Sequence, residues 1–163
     1  MKLQKAINII KKSAAITLFQ DDSGTQLITN GSAVYDVSRW PFIESTDELA
    51  AILGITDMDK YSFNIKPIPD ICKPTRAGIP IEKKYITIDY LGSIFTFLCA
   101  DQRMIAVNPK YLLPFDEETR FEYVNSEHGE VILAGGFIKE GYILPYKIGD
   151  DFRAAIEELY RGI

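Results

Sequence analysis

Lys5–Ser32 reads KAINIIKKSAAITLFQDDSGTQLITNGS, and Lys110–Phe137 reads KYLLPFDEETRFEYVNSEHGEVILAGGF. Shifting the chain by 105 positions brings the two stretches into register. Lys5 then meets Lys110, Ile7 meets Leu112, Ile16 meets Phe121, Leu18 meets Tyr123 and Phe19 meets Val124. Gly24 meets Gly129, Leu27 and Ile28 meet Ile132 and Leu133, and Gly31 meets Gly136. Identities are confined to Lys5 and the two glycines. What recurs is an order of events: a short helix, a strand, a polar turn with Gly, a second strand, a Gly step and a third strand. Any two β-hairpins share apolar runs around a Gly turn. The helix ahead of both stretches favours a duplicated unit over that common grammar.

Local chemistry assigns the elements. In residues 2–13, Leu3, Ala6, Ile7 and Ile10 form one apolar stripe at helical spacing. Lys2, Lys5, Asn8 and Lys12 fall on another face, and no acidic residue precedes Asp21, so this helix is locally basic. AAITLFQ reads as a strand, DDSG as a turn, and TQLITNGSAVYDV as a second extended segment whose Asn30-Gly31 makes a bulge or a tight turn. STDELAAILGI is a short helix with Ser45 or Thr46 as cap, acids in its first turn and Gly54 at its end. Tyr61, Phe63 and Ile65 alternate as in a strand. Pro67, Pro69, Pro74 and Pro80 then mark 67–80 as a connection between half-units at about 1–66 and 81–148.

The second half returns to strands. KYITIDYLG alternates, IFTFLCA is strongly apolar, and RMIAVN is short. PKYLLPF allows about one helical turn, started by Pro109 and limited by Pro114. TRFEYVN, EVILAGGF and GYILPYKI are three further strands. The segment 149–163 is an amphipathic helix, with Asp150 or Asp151 as cap and Phe152, Ala155, Ile156 and Leu159 as its buried stripe. These elements predict one α+β domain over 1–163, with antiparallel sheets and few helices.

Composition limits the chemistry. The chain has 163 residues, a net charge of −5 and a hydrophobic fraction of 47%, as in ordinary globular proteins. An acidic total means that contact with nucleic acid depends on a local basic patch. The amino-terminal stretch lacks the apolar run of a signal peptide, and no segment is apolar enough to span a bilayer, so a cytoplasmic, membrane-free protein is expected. Cys72 and Cys99 are then expected as free thiols. His128, the one histidine, lies in the turn NSEHGE with no nucleophile or second acid-base group marked beside it. Two distant cysteines and one histidine make no zinc site. The paired acids 21–22, 57 and 59, 117–118 and 150–151 adjoin turns or caps, and nothing selects a catalytic pair. No cofactor, no metal and no enzymatic activity are expected.

Residues 103–148 resemble the last domain of a bacterial DNA polymerase III β-clamp. In that family a strand leads into an N-x-x-Y-L helix, which Asn108, Tyr111 and Leu112 match. Two strands and a final strand ending in P-x-R follow. Pro145 matches, and Lys147 stands where the family usually has Arg. The resemblance implies a sliding-clamp-like plan of repeated helix-plus-strands units whose helices face duplex DNA. It implies a non-catalytic, DNA-associated or polymerase-accessory protein that meets phosphates nonspecifically. Lys2, Lys5 and Lys12 are the expected DNA-binding residues, with Lys110 on the echoing helix. A clamp-like protein-interaction module without DNA contact, and self-association through sheet edges, are the competing expectations. The chain is too short for the three domains of a bacterial clamp subunit, and the proline-rich segment has no counterpart in the family pattern.

Overall fold

The computed structural model describes residues 1–163. The protein is an α+β fold with three α-helices and a ten-stranded mixed sheet. In chain order the elements are α1 (Leu3–Lys11), β1 (Ala15–Gln20), β2 (Gln26–Thr29), β3 (Ala33–Asp36), α2 (Thr46–Ile52), β4 (Ser62–Pro67), β5 (Ile79–Tyr90), β6 (Ser93–Ala100), β7 (Arg103–Val107), β8 (Phe121–Ser126), β9 (Gly129–Gly135), β10 (Lys139–Ile143) and α3 (Asp150–Arg161). Short 3-10 turns occupy Met58–Lys60, Asp70–Cys72 and Pro109–Leu112.

The sheet order is β4-β1-β2-β3-β10-β9-β8-β5-β6-β7. Two three-stranded meanders, β1-β2-β3 and β8-β9-β10, lie side by side and join through an antiparallel β3·β10 pair. There Ala33 faces Ile143, Val34 faces Tyr142 and Tyr35 faces Gly141. Outward from this seam, both sides run third, second, first strand. Beyond them the sides differ. On one flank β4 returns through α2 to pair with β1 in parallel, the one departure from the all-antiparallel expectation. On the other flank β5 touches β8 only at Ile79 and Pro80, then continues as a long hairpin with β6.

Two turns share a conformational need. Gly24 in the β1–β2 turn and Gly129 in the β8–β9 turn have φ of +89° and +120°, which L side chains rarely adopt. The second glycine pair does not correspond: Gly31 is left-handed, but its counterpart in conformation is Gly135, not Gly136.

Alternation along the strands divides the core between the two faces of the sheet. On one face Ile16, Leu18, Ile28, Ala33, Tyr35, Tyr123, Ile132 and Ile143 meet Ala6, Ile7 and Ile10 of α1, Leu49 and Ala50 of α2, and Tyr111 and Phe115 around the 3-10 turn. On the other face Leu27, Val34, Val124, Val131, Leu133 and Tyr142 are roofed by Ile68 and Cys72 of the proline-rich segment. A third cluster joins Phe97, Cys99, Met104 and Ala106 to Ile156 of α3.

Several expectations shift in detail. Asn30-Gly31 is a turn that splits the second extended segment into β2 and β3. Pro67 ends β4 and Pro80 sits near the start of β5, so both lie within strands where a missing ladder donor is tolerated. The cap of α3 is Gly149, without a side-chain hydrogen bond. Of its expected stripe only Ile156 is buried; Phe152 and Leu159 are 41% and 50% exposed, because the helix turns Arg153 and Ile156 towards β7 and Tyr160 towards Glu82 and Lys84 of β5 instead. Both cysteines are free and buried.

Candidate nucleic-acid interface

The helix α1 forms because its apolar residues recur on one side and its interior lacks Gly and Pro; packing of that side outweighs the lower helix propensity of Ile7, Ile9 and Ile10. It has no side-chain cap. The Lys2 backbone N–H instead donates to the Pro114 carbonyl at 2.6 Å, which ties the start of α1 to the end of the turn at Pro109–Leu112. That turn is built by Asn108, whose side-chain oxygen accepts from the Lys110 N–H at 3.1 Å, and by Pro109 in its first position. Tyr111 is pinned below it: its carbonyl accepts from the buried Tyr35 hydroxyl at 3.0 Å.

Both elements therefore cover the same face of the sheet, and their polar sides share one outer layer. Lys2, Lys5 and Lys12 are exposed on α1, and Lys110 is exposed on the 3-10 turn. None of the four makes an ion pair. Lys110 Nζ lies 4.9 Å from the Tyr111 ring centroid, a cation–π contact that leaves its charge available. Gln4 and Asn8 hydrogen-bond to each other at 2.9 Å along the same outer side. Asp47 and Glu48 open α2, and Asp116, Glu117 and Glu118 follow the 3-10 turn, all exposed. The Met1 ammonium is held by Glu140 at 3.2 Å. Lys147, at the clamp-like P-x-R position, is exposed beyond β10.

The remaining polar clusters are structural in geometry. Tyr123 donates to the Glu130 carboxylate, and Arg103 Nη2 reaches the same carboxylate at 3.0 Å. Burial alone would raise the Glu130 carboxyl. Hydrogen bonds from Tyr123 and Arg103 outweigh it and hold the group below its usual range. Burial and the neighbouring Glu130 carboxylate push the Tyr123 phenol up. This triad stitches β8 and β9 to the start of β7, a link no spacing in the sequence reveals. His128 is exposed in the β8–β9 turn, with Glu127 Oε1 at 3.4 Å and Asp70 Oδ2 at 3.9 Å. No group of three or more His, Cys, Asp or Glu side chains is placed to hold a metal ion, and no helix is long and apolar enough to cross a membrane.

A cleft also went unseen in the sequence. It opens between the tip of the β5–β6 hairpin (Ser93, Ile94, Phe95), the 3-10 turn (Asn108, Leu113) and Tyr146, with a volume of about 640 Å³. The Asn108 amide donates to the Tyr146 hydroxyl at 3.2 Å across its floor. Its walls come from three separated segments, so only folding brings them together.

Comparison of the chain with protein-family models, with curated proteins and with solved structures found no match.

Proposed function

We propose that the chain is a non-catalytic, clamp-like DNA-associated or polymerase-accessory protein that touches duplex phosphates through α1. One observation carries this reading. Lys2, Lys5, Lys12 and Lys110 are exposed, lack ion pairs and lie in one layer over one face of a sheet made of two adjoining meanders. The strand order around the β3·β10 seam supports treating the halves as copies of one helix-plus-strands unit. Ammonium groups along a helix can follow a phosphate backbone without reading bases, because phosphate contacts carry no sequence information. The net negative charge elsewhere keeps the attraction local to this layer.

Salt dependence tests it. Binding to duplex DNA of unrelated sequences is expected at low salt and weakens as salt rises. Each lysine engaged on a phosphate contributes about 0.9 to the logarithmic salt slope, so Lys5→Glu with Lys12→Glu should flatten it by about 1.8. No affinity at low salt, or an unchanged slope in the double variant, overturns the reading.

The cleft beside Leu113 and Ile94 favours a second reading, a protein-interaction module. Both side chains are more than half exposed at its rim, and such a cleft fits an apolar anchor from a partner segment. A chain without duplex affinity at low salt would leave this reading in place of the first.

A further inference from the structure

We propose that the free edge of β4 pairs with β4 of a second copy, so that the chain forms a two-fold dimer through one continuous sheet. The two ends of the sheet are treated differently by the rest of the molecule. At the β7 end three of the four outward backbone groups of Met104 and Ala106 are taken. The Met104 carbonyl accepts from the Arg153 guanidinium, and the Met104 N–H donates to Glu157 Oε1 at 3.4 Å. The Ala106 carbonyl accepts from the Tyr146 N–H at 2.8 Å. The helix α3 and the segment before it thus close that end.

The β4 end is open. The Ser62 N–H donates to the Ala14 carbonyl at 2.7 Å, which turns Ser62, Asn64 and Lys66 towards β1. Alternation then points the N–H and C=O of Phe63 and Ile65 away from the sheet, and neither residue has another partner. An unpaired edge of this kind is a template for another strand. The other unpaired edge, the far part of β5, is guarded. It carries an irregularity between Ile81 and Tyr85 filled by Glu82, Lys83 and Lys84, and Asp89 follows near its tip.

The β4 edge complements itself. An antiparallel pairing centred on Asn64 places Phe63 opposite Ile65 of the second copy. Both residues then exchange N–H and C=O with their opposites. The ladder stops there by its own chemistry, since the Tyr61 N–H already donates to Met58 and Pro67 has no N–H. Ser62 falls opposite Lys66 of the second copy, so no like charges face each other. The side chains of Tyr61, Phe63 and Ile65 are only partly buried, and Ile52 and Met58 beside them are 39% and 36% exposed. Pairing gives this apolar rim a partner. Because β7 is closed, a second molecule meets β4 through the same edge, which makes the interface isologous and the assembly finite. The two-fold axis stands perpendicular to the sheet. Both helix layers then lie on one side, and the two lysine stripes share that side; this consequence, unlike the dimer itself, rests on the DNA reading above.

The test uses the full chain without DNA, so its failure is separate from that of the DNA reading. Sedimentation and light scattering should give a dimer. Under mild oxidation Asn64→Cys should crosslink two chains rapidly, because opposed residues at a non-hydrogen-bonded site bring their Cβ atoms to about 4.5–5.5 Å. Ser62→Cys should not, since it faces Lys66. Ile65→Pro, checked for folding by circular dichroism, should weaken the dimer about tenfold or more by removing one outward donor per copy. If that variant fails to fold, Ile65→Lys, which sets two charges on the edge, should do the same. A monomer at about 100 µM, crosslinking of Ser62→Cys as fast as Asn64→Cys, or oligomers growing beyond two chains would overturn the proposal.

Discussion

The two meanders carry the same strand plan but solve one packing problem by different means. Over β1-β2-β3 the nine-residue α1 supplies Ala6, Ile7 and Ile10, small and medium side chains spread along a helix. Over β8-β9-β10 stands a four-residue 3-10 turn, and aromatic rings supply much of the packing. Phe115 packs edge-on to Phe121 with centroids 5.7 Å apart, and lies 6.0 Å from Tyr35. A ring buries about 150–250 Å², more than any single aliphatic side chain, so a short turn carrying rings covers area that the other half covers with a longer helix. The exchange also thins the charge. The long helix carries Lys2, Lys5 and Lys12 on and around its outer side, whereas the short one carries Lys110 alone.

If rings substitute for helix length, the second half should depend on few residues. Phe115→Ala is expected to destabilise by about 3–5 kcal/mol in chemical denaturation, and by more than Ile10→Ala, for which about 2–5 kcal/mol is expected. A larger loss at Ile10 would break the comparison. Gly141 sharpens it. A Cβ there would meet Phe115 Cζ at 2.6 Å and the Val34 carbonyl at 3.0 Å, so the strand opposite Tyr35 must lack a side chain for the ring to seat. Gly141→Ala should cost about 1–3 kcal/mol. Combined with Phe115→Leu, the two losses should sum to less than their separate values in a double-mutant cycle.

The smallest effect concerns the opposite face, where the proline-rich segment roofs mainly the second meander. Burial there pushes the Cys72 thiol up to about 11 from an ordinary value of 9.0. A raised acid pKa in the folded state means stability that is present below pH 9 and lost as pH climbs from there towards 11. Subtracting the stability–pH curve of Cys72→Ala from that of the unaltered chain should leave a decline confined to this window. A flat difference would mean that the roof leaves the thiol solvated.

Much of the layout was legible because strands and turns announce themselves locally. The hairpin glycines, the Ser45 cap, which accepts from the Glu48 N–H at 3.2 Å, and Pro109 each act within a few residues. Partner choice does not. The alternation Tyr61, Phe63, Ile65 is the same for a parallel as for an antiparallel neighbour, so the return of β4 to β1 left no trace. The extent of β5 was hidden by Pro80 and by the charged triplet Glu82-Lys83-Lys84, which interrupts its pattern as a bulge does. For α3, helical spacing identified the apolar residues but not which flank the β7 edge would claim. The four candidate lysines could be named from the helix stripe and the echo. Their common layer depends on the Lys2–Pro114 contact and on both helical elements choosing one side of the sheet. The cleft at Tyr146 and the Tyr123–Glu130–Arg103 triad draw on segments far apart in the chain, and nothing local foretells them.

The splice between β8 and β5 has a mechanical consequence. Only Ile79 and Pro80 bridge the ladder there, and Pro80 brings no donor, while Leu98, Ala100, Ile105 and Val107 still share the main core. Across the crease the two panels of the sheet are thus held mainly by side chains, apolar ones from the core and the Arg103–Glu130 ion pair. Torsion applied to the panel bearing α3 would change the crease angle against sliding side chains and the Arg103–Glu130 pair, with few ladder bonds in the way.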